Sequence, residues 1–142
     1  LLVVAGCGEG EGVGKGAMVT AYVVAPLCAE AKRELVRDGA KAGKVRVRVS
    51  CLPKDERDGR LDLAAIGAGA RRATEDSSAI AYIATTEPVA ARFSETILEE
   101  AGIAQLPTSS GATAMAKLLH AVAEAGNAGN LRESVDKSFE DE

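Results

Sequence analysis

The run GCGEGEGVGKG carries Lys15 between its last two glycines, the residue chemistry that surrounds a polyphosphate with loop amides and a cation. That chemistry needs G-x-x-x-x-G-K-[ST] placed after a strand and opening a helix. Here Glu9 holds the place of the first glycine, and Gly10 stands one residue too near. Gly16 follows Lys15, so no hydroxyl is available for magnesium, and Glu9 and Glu11 would repel phosphate. The segment also precedes the first strand-like run instead of following one. The phosphate reading is set aside. Asp55, Glu56 and Asp58 lack the D-x-D-x-D-G spacing of a calcium loop and read as a solvated face. His120 lies on a helical stretch between Lys117 and Glu124, with no partner in the sequence to make it a base. No G-x-S-x-G elbow occurs, and no nucleophile can be matched to a base. The expectation is a protein without catalysis and without a cofactor.

The cysteines carry more. Leu1-Leu2-Val3-Val4 is apolar, Ala5 and Gly6 are small, and Cys7 follows. This V-A-G-C string resembles the lipobox of bacterial lipoproteins, in which the signal is cut before a cysteine that then carries acyl chains. The resemblance implies a signal remnant over 1–6, lipidation at Cys7, a membrane anchor through it, and residues upstream of Leu1. Residues 7–16 then form a flexible tether, because glycine is costly to order and the run has little apolar surface to bury. The other reading is a hydrophobic N-terminal strand with an ordinary buried cysteine. Cys28 follows the first expected strand and Cys51 closes the second. If those strands are parallel neighbours, both thiols lie near one sheet edge, where an oxidising compartment would bridge them. Two buried free thiols are the alternative. Zinc is not indicated, with no C-x-x-C and one histidine.

Once the signal and tether are removed, about 125 residues remain, enough for one domain with a real core. No run of 18 or more apolar residues is long enough to span a bilayer. The net charge of -4 and the scattered basic residues leave no nucleic-acid footprint. Aromatics are few (Tyr22, Tyr82, Phe93, Phe139), which argues against base-stacking platforms and aromatic ligand cages.

The elements that must position any site follow from periodicity. MVTAYVVAP at 18–26 reads as a buried strand, and 28–42 as a helix stopped by Gly43. VRVRVSCL at 45–52 alternates as a strand with one wetter face, at the sheet edge. PKDERDGR is a charged loop, 61–74 a helix, and AIAYIA at 79–84 a central strand. Pro88 opens a helix to about residue 101, with Thr86 or Glu87 as its cap. A short strand at 103–106 and the loop LPTSSG follow. A helix over 113–125 closes at Gly126, and a last one starts at Asn130 with Glu133 placed for a capping box. The alternation β-α-β-α-β-α-β-α-α predicts an α/β domain over 17–142, with a parallel sheet and helices on both faces.

In such sheets ligands bind beyond the carboxyl ends of the strands. The loops there are 26–28, 53–60, 84–87 and 107–111. Two of these carry hydroxyls into helix N-termini, a setting that suits the carboxylate of a small ligand. Equally, Thr86 and Ser110 are the residues that ordinarily cap helices.

The stretch EDSSAIAYIATTEPVAARFSETILEEAGIAQLPTSSGA resembles the first lobe of the type 1 periplasmic-binding fold. Within that fold it is most similar to the branched-chain amino acid (Leu/Ile/Val) substrate-binding proteins of ABC importers. DLAAIGAGARRATED is similar to the family's preceding helix. The resemblance implies a three-layer lobe with a four-stranded parallel sheet in the flavodoxin-like order 2-1-3-4. It implies ligand contacts by Thr85, Thr86, Thr108, Ser109 and Ser110, with an amino acid or small carboxylate as ligand. Ala84 stands where the family ends its strand in glycine, Pro88 where it places a binding serine, and Leu106 where it has the serine of "SP". AMAKLLHAVAEAGNAGNLRESVDKSFED resembles a helix pair found much later in full-length members, and no second lobe follows in this chain. A lobe alone is half a clamp, to be completed by a homodimer or a permease partner. The expected function is therefore a lipid-anchored, extracytoplasmic, solute-binding-like protein of a bacterial cell envelope. The alternative is an envelope protein-interaction module that keeps the lobe as a scaffold.

Overall fold

A strand in the middle of a parallel sheet is covered on both faces, and AIAYIA is buried at all its positions. The computed structural model describes residues 18–125 and 130–140. The expected signal remnant 1–6, Cys7, the tether 7–16 and the helix stop at Gly126 lie outside the described residues. In chain order the elements are β1 (Met18–Val24), α1 (Ala25–Arg37), β2 (Lys41–Ala42), β3 (Val45–Leu52), β4 (Glu56–Arg57) and β5 (Arg60–Leu61). They continue with α2 (Leu63–Thr74), β6 (Ala79–Ala84), α3 (Pro88–Glu99), β7 (Ala104–Pro107), α4 (Gly111–Ala125) and α5 (Leu131–Glu140).

The architecture is α/β with a mostly parallel sheet. Four strands in the order 2-1-3-4 were expected, whereas the sheet has five, ordered β2-β3-β1-β6-β7. The difference arises between 37 and 45. The first helix was expected to run to residue 42, but it ends at Arg37, and Gly39 and Ala40 take positive φ of 72° and 62°. Gly43, at φ 64°, then reverses the chain so that Lys41–Ala42 pairs antiparallel with Val45 and Arg46. Pro26 likewise sits in the first turn of α1 and not in the strand before it, because its fixed φ suits a helix start. The charged 53–60 loop contains a small hairpin, β4–β5, turned through Asp58 and Gly59 at φ 55° and 78°.

The helices fall into two groups. α1 packs on α4 and α4 on α5, while α2 packs on α3. Parallel crossovers are right-handed, so stepping out from β1 to β3 and back across to β6 puts the groups on opposite sheet faces. Val19, Val23, Ile80, Ile83, Met115, Leu118 and Val122 are fully buried in the core between them. Burying each such side chain contributes about 1.5–3 kcal/mol before the cost of ordering it. Cys51 lies beside Val23 on the α1 side of the sheet. It is bonded there to Cys28 of α1, with Cα atoms 5.7 Å apart.

At the amino-terminal edge of the sheet, polar groups close on one another. Tyr22 Oη donates to Asp76 Oδ2 at 2.7 Å, and Ser78 N and Oγ donate to Oδ1 at 2.9 and 2.7 Å. Thr20 Oγ1 lies 2.8 Å from Ser78 Oγ and accepts from Arg48 Nε at 2.9 Å. Arg132 of α5 reaches the same edge and donates to three carbonyls, those of Ala79 (2.6 Å), Asp76 (2.8 Å) and Ala101 (3.2 Å). Burial pushes the Asp76 carboxyl up. The bonds from Tyr22 and Ser78 and the charge of Arg48 outweigh that push and hold it below its ordinary value.

Two outcomes follow from this packing. Replacing Cys28 and Cys51 together by serine should cost about 3 kcal/mol, the loop-closure entropy of a bridge of this span, read from urea midpoints of oxidised protein and variant. A carboxyl lowered by folding contributes stability above its unfolded pKa and loses it as pH falls through the folded value. Asp76→Asn should therefore flatten the fall in urea midpoint between about pH 5 and pH 3. An unchanged acid limb would show that this cluster contributes nothing to acid stability.

Candidate functional site

Pro53 ends β3, and the β4–β5 hairpin then folds the chain back over the carboxyl edge of the sheet. Asp62 N donates to the Asp55 carbonyl at 2.9 Å, which turns the Asp55 side chain inward and leaves it only 8% exposed. Glu56 and Asp58 are exposed, so the expected solvated face lacks Asp55. Hairpin closure is the reason. Across from Asp55, β6 ends at Ala84, and Thr85 Oγ1 donates to Asp55 Oδ2 at 2.8 Å. Asp55 Oδ1 accepts no hydrogen bond from the described residues.

Tyr82 lies two residues before the end of β6. Its ring is 2% exposed, and its hydroxyl faces Gly69 of α2, where a Cβ would sit 3.6 Å away. Burial, and after it the charge of Asp55, push the phenol up to about 12. The Tyr82 hydroxyl makes no hydrogen bond with the described residues. Among those residues no fully buried side-chain polar atom lacks a partner, so solvent reaches this hydroxyl. A phenol in an otherwise apolar buried strand needs a polar outlet, and that was the signal in AIAYIA.

The loops after β6 and β7 lie side by side, joined by Thr108 N donating to the Ala84 carbonyl at 2.8 Å. The five expected ligand contacts have different surroundings. Thr86 and Ser109 are exposed. Thr108 Oγ1 accepts from Ser110 N at 3.0 Å and donates to the Ser110 carbonyl at 3.1 Å. Ser110 Oγ accepts from Thr113 N at 3.1 Å, the capping use of such a residue. It also lines a groove of about 420 Å³ with Glu30, Arg33, Glu34, Arg37 and Ala112. Thr85 alone of the five faces a buried partner side chain.

The helix N-termini at this edge hold carboxylates of the chain itself. Asp62 Oδ1 accepts from Ala65 N (3.1 Å), Glu87 Oε1 from Ala90 N (2.9 Å), and Glu30 Oε1 from Gly111 N (2.8 Å). Glu87, and not Thr86, caps α3. His120 Nε2 lies 3.3 Å from Glu124 Oε2 on an exposed face, a surface pair away from this edge. Among the described residues no cluster of three or more His, Cys, Asp or Glu could hold a metal, and no helix is long and apolar enough to cross a membrane. Comparison of the chain with protein-family models, with curated proteins and with solved structures finds no match.

Removing the Thr85 donor strands a buried carboxylate. Thr85→Val should lower stability by about 1–3 kcal/mol in urea titration. Thr86→Val, on an exposed residue of the same loop, should stay within about 0.5 kcal/mol of the parent protein.

Proposed function

We propose that this chain is a lipid-anchored, extracytoplasmic solute-binding lobe, without catalysis, related to the substrate-binding proteins of amino acid importers. The observation that carries the reading is the Asp55–Thr85 pair. It is a buried carboxylate bonded to a loop hydroxyl at the carboxyl edge of a parallel sheet, where α/β domains take their ligands. The bonded Cys28–Cys51 pair supports an oxidising compartment, in keeping with the lipobox-like string at Cys7. The parallel strands β3-β1-β6-β7 are, in this proposal, those of a type 1 periplasmic-binding first lobe, with Lys41–Ala42 added at the edge. The ligand is a small solute, and a second copy or a permease closes the other side of the clamp.

A second reading has its own observation. The outer edge of β7 is free of any described strand, and a groove of about 350 Å³ runs along it between α3 and α5. Leu98, Ile103 and Phe139 line it, with Glu95, Glu99 and Asp136 among the acidic residues around it. An extended basic segment of another envelope protein fits that surface by strand addition and charge. Pro107 offers no N–H, so side chains would have to carry most of the contact.

One set of measurements separates the readings. Thermal-shift and calorimetric screening with amino acids, amines and small carboxylates should find a stabilising solute, worth about 2.7 kcal/mol at a hundredfold excess over Kd. The protein expressed with Cys7→Ser should leave the membrane fraction. If no solute stabilises while a lysine-flanked extended peptide binds, the interaction reading replaces the first. Membrane retention of Cys7→Ser would remove the anchor.

A further inference from the structure

Within the lipid-anchored reading, on which this inference rests, we propose that Lys41, Lys44 and Arg46 form a docking face for the anionic headgroups of the membrane that holds the anchor. The register at the sheet edge carries the argument. Lys41 of β2 stands directly opposite Arg46 of β3 in an antiparallel pair, so both side chains lie on one face, with Cβ atoms about 5 Å apart. Like charges in that relation oppose the pairing of their own strands, and an anion outside the fold relieves the repulsion. Lys44 sits in the turn between the two strands, and Arg48 lies two residues beyond Arg46 on the same face. Lys41, Lys44 and Arg46 are exposed and make no hydrogen bond or ion pair with a described residue.

The face stays open because of how the helices are placed. α2 packs on α3 and β6, while α1 covers β3 from the other side. Arg72 of α2 reaches the open face from its far border, 5.9 Å from the centre of the Tyr22 ring. Asp38 precedes the hairpin, and Glu75 and Asp76 follow α2, but Asp76 is already bonded by Tyr22 and Ser78. Two remaining carboxylates do not neutralise Lys41, Lys44, Arg46, Arg48 and Arg72. With a net charge of -4 and few aromatics, the chain offers this local patch to a lipid surface better than to a nucleic acid.

Chain entry supplies the second argument. Met18, the first residue of β1, is the register partner of Arg46 on the side away from Lys41. Ten residues separate Met18 from Cys7, and so short a span reaches about 40 Å at most. An acyl chain on Cys7 therefore pulls on the domain beside Arg46 and holds this edge close to the lipid. Tethering raises the effective concentration of the surface, so a few cations are enough to orient the domain. Val36, 73% exposed in the last turn of α1, adds an apolar side chain at the same end of the molecule. In this orientation the carboxyl edge, with Asp55 and Thr85, faces away from the bilayer.

The test uses the purified full chain with Cys7→Ser, which has no acyl group. It is sedimented with vesicles of phosphatidylcholine, alone or mixed equally with phosphatidylglycerol. The expected result is binding to the anionic vesicles only, weakened at least about tenfold in about 0.5 M salt. Lys44→Glu combined with Arg46→Glu should weaken it by a similar factor. Lys41→Glu separates docking from folding, because it sets an acid opposite Arg46. Its urea midpoint should hold or rise while vesicle binding falls about threefold to tenfold. In the acylated protein on the same vesicles, nitroxide-headgroup lipid should quench a fluorophore on Asp38→Cys more than one on Thr86→Cys.

Equal binding to the two vesicle types, or full binding by both charge variants, would overturn the docking face and leave the anchor standing. Tighter binding to polyglutamate than to the anionic vesicles would also overturn it, and would mark an acidic protein as the partner. The anchor is read separately, by mass spectrometry of Cys7. A chain never acylated there would remove the anchored reading, and the docking face with it.

Discussion

At Gly111 the backbone of α4 comes so close to α1 that a Cβ built there would collide with the Leu27 carbonyl oxygen. Only glycine permits this approach, and much of the carboxyl edge depends on it. It brings the first amide of α4 within 2.8 Å of Glu30, and the α4 N-terminus is thereby closed by a residue of α1. It also places the two helices beside the Cys28–Cys51 bond, which ties α1 to β3 on the same side of the sheet. A helix start that could have received a ligand anion has become part of the scaffold. The polar groups left at this edge are side chains of the loops after β3 and β6, with Asp55 and Thr85 bonded to each other among them.

The opposite edge of the sheet is built for a different purpose. Arg132 is held by three carbonyls; burial lowers its guanidinium below the ordinary value, and the nearby Asp76 carboxylate partly opposes that shift. Tyr22, Ser78, Thr20 and Arg48 link β1, β3 and the turn before β6 into one bonded set. These groups saturate each other and leave little for a ligand. The division matches the general behaviour of α/β sheets, in which one end holds the fold and loops at the other end carry specificity.

The strands were legible because β-branched runs such as VTAYVV and VRVRVS have one physical use. The helices were legible from their apolar spacing and from stops such as Gly102. The residues 38–44 were not, because alanine and lysine favour helix while Gly39 and Gly43 permit two reversals, and pairing with Val45 and Arg46 settled the competition. The site was legible only in part. Hydroxyls at helix starts serve caps and ligands by the same property, so Ser110 and Thr85 looked alike until their partners were known. Asp55 sits in a charged string, and its burial is a consequence of the hairpin between Asp55 and Asp62, which charge pattern alone does not encode. Tyr82 was counted as a scarce aromatic, although its place in a wholly apolar strand was the clue.

Two aspartates of this chain make the functional argument by contrast. Asp76 is half-buried and accepts three hydrogen bonds, from Tyr22 and from both donors of Ser78. Asp55 is buried and accepts one side-chain bond. The second Asp55 oxygen therefore meets solvent, since no fully buried side-chain polar atom among the described residues lacks a partner. A chain that compensates a carboxylate fully at one sheet edge has the means to do so at the other. Departures from local consistency of this kind concentrate where a fold trades stability for function.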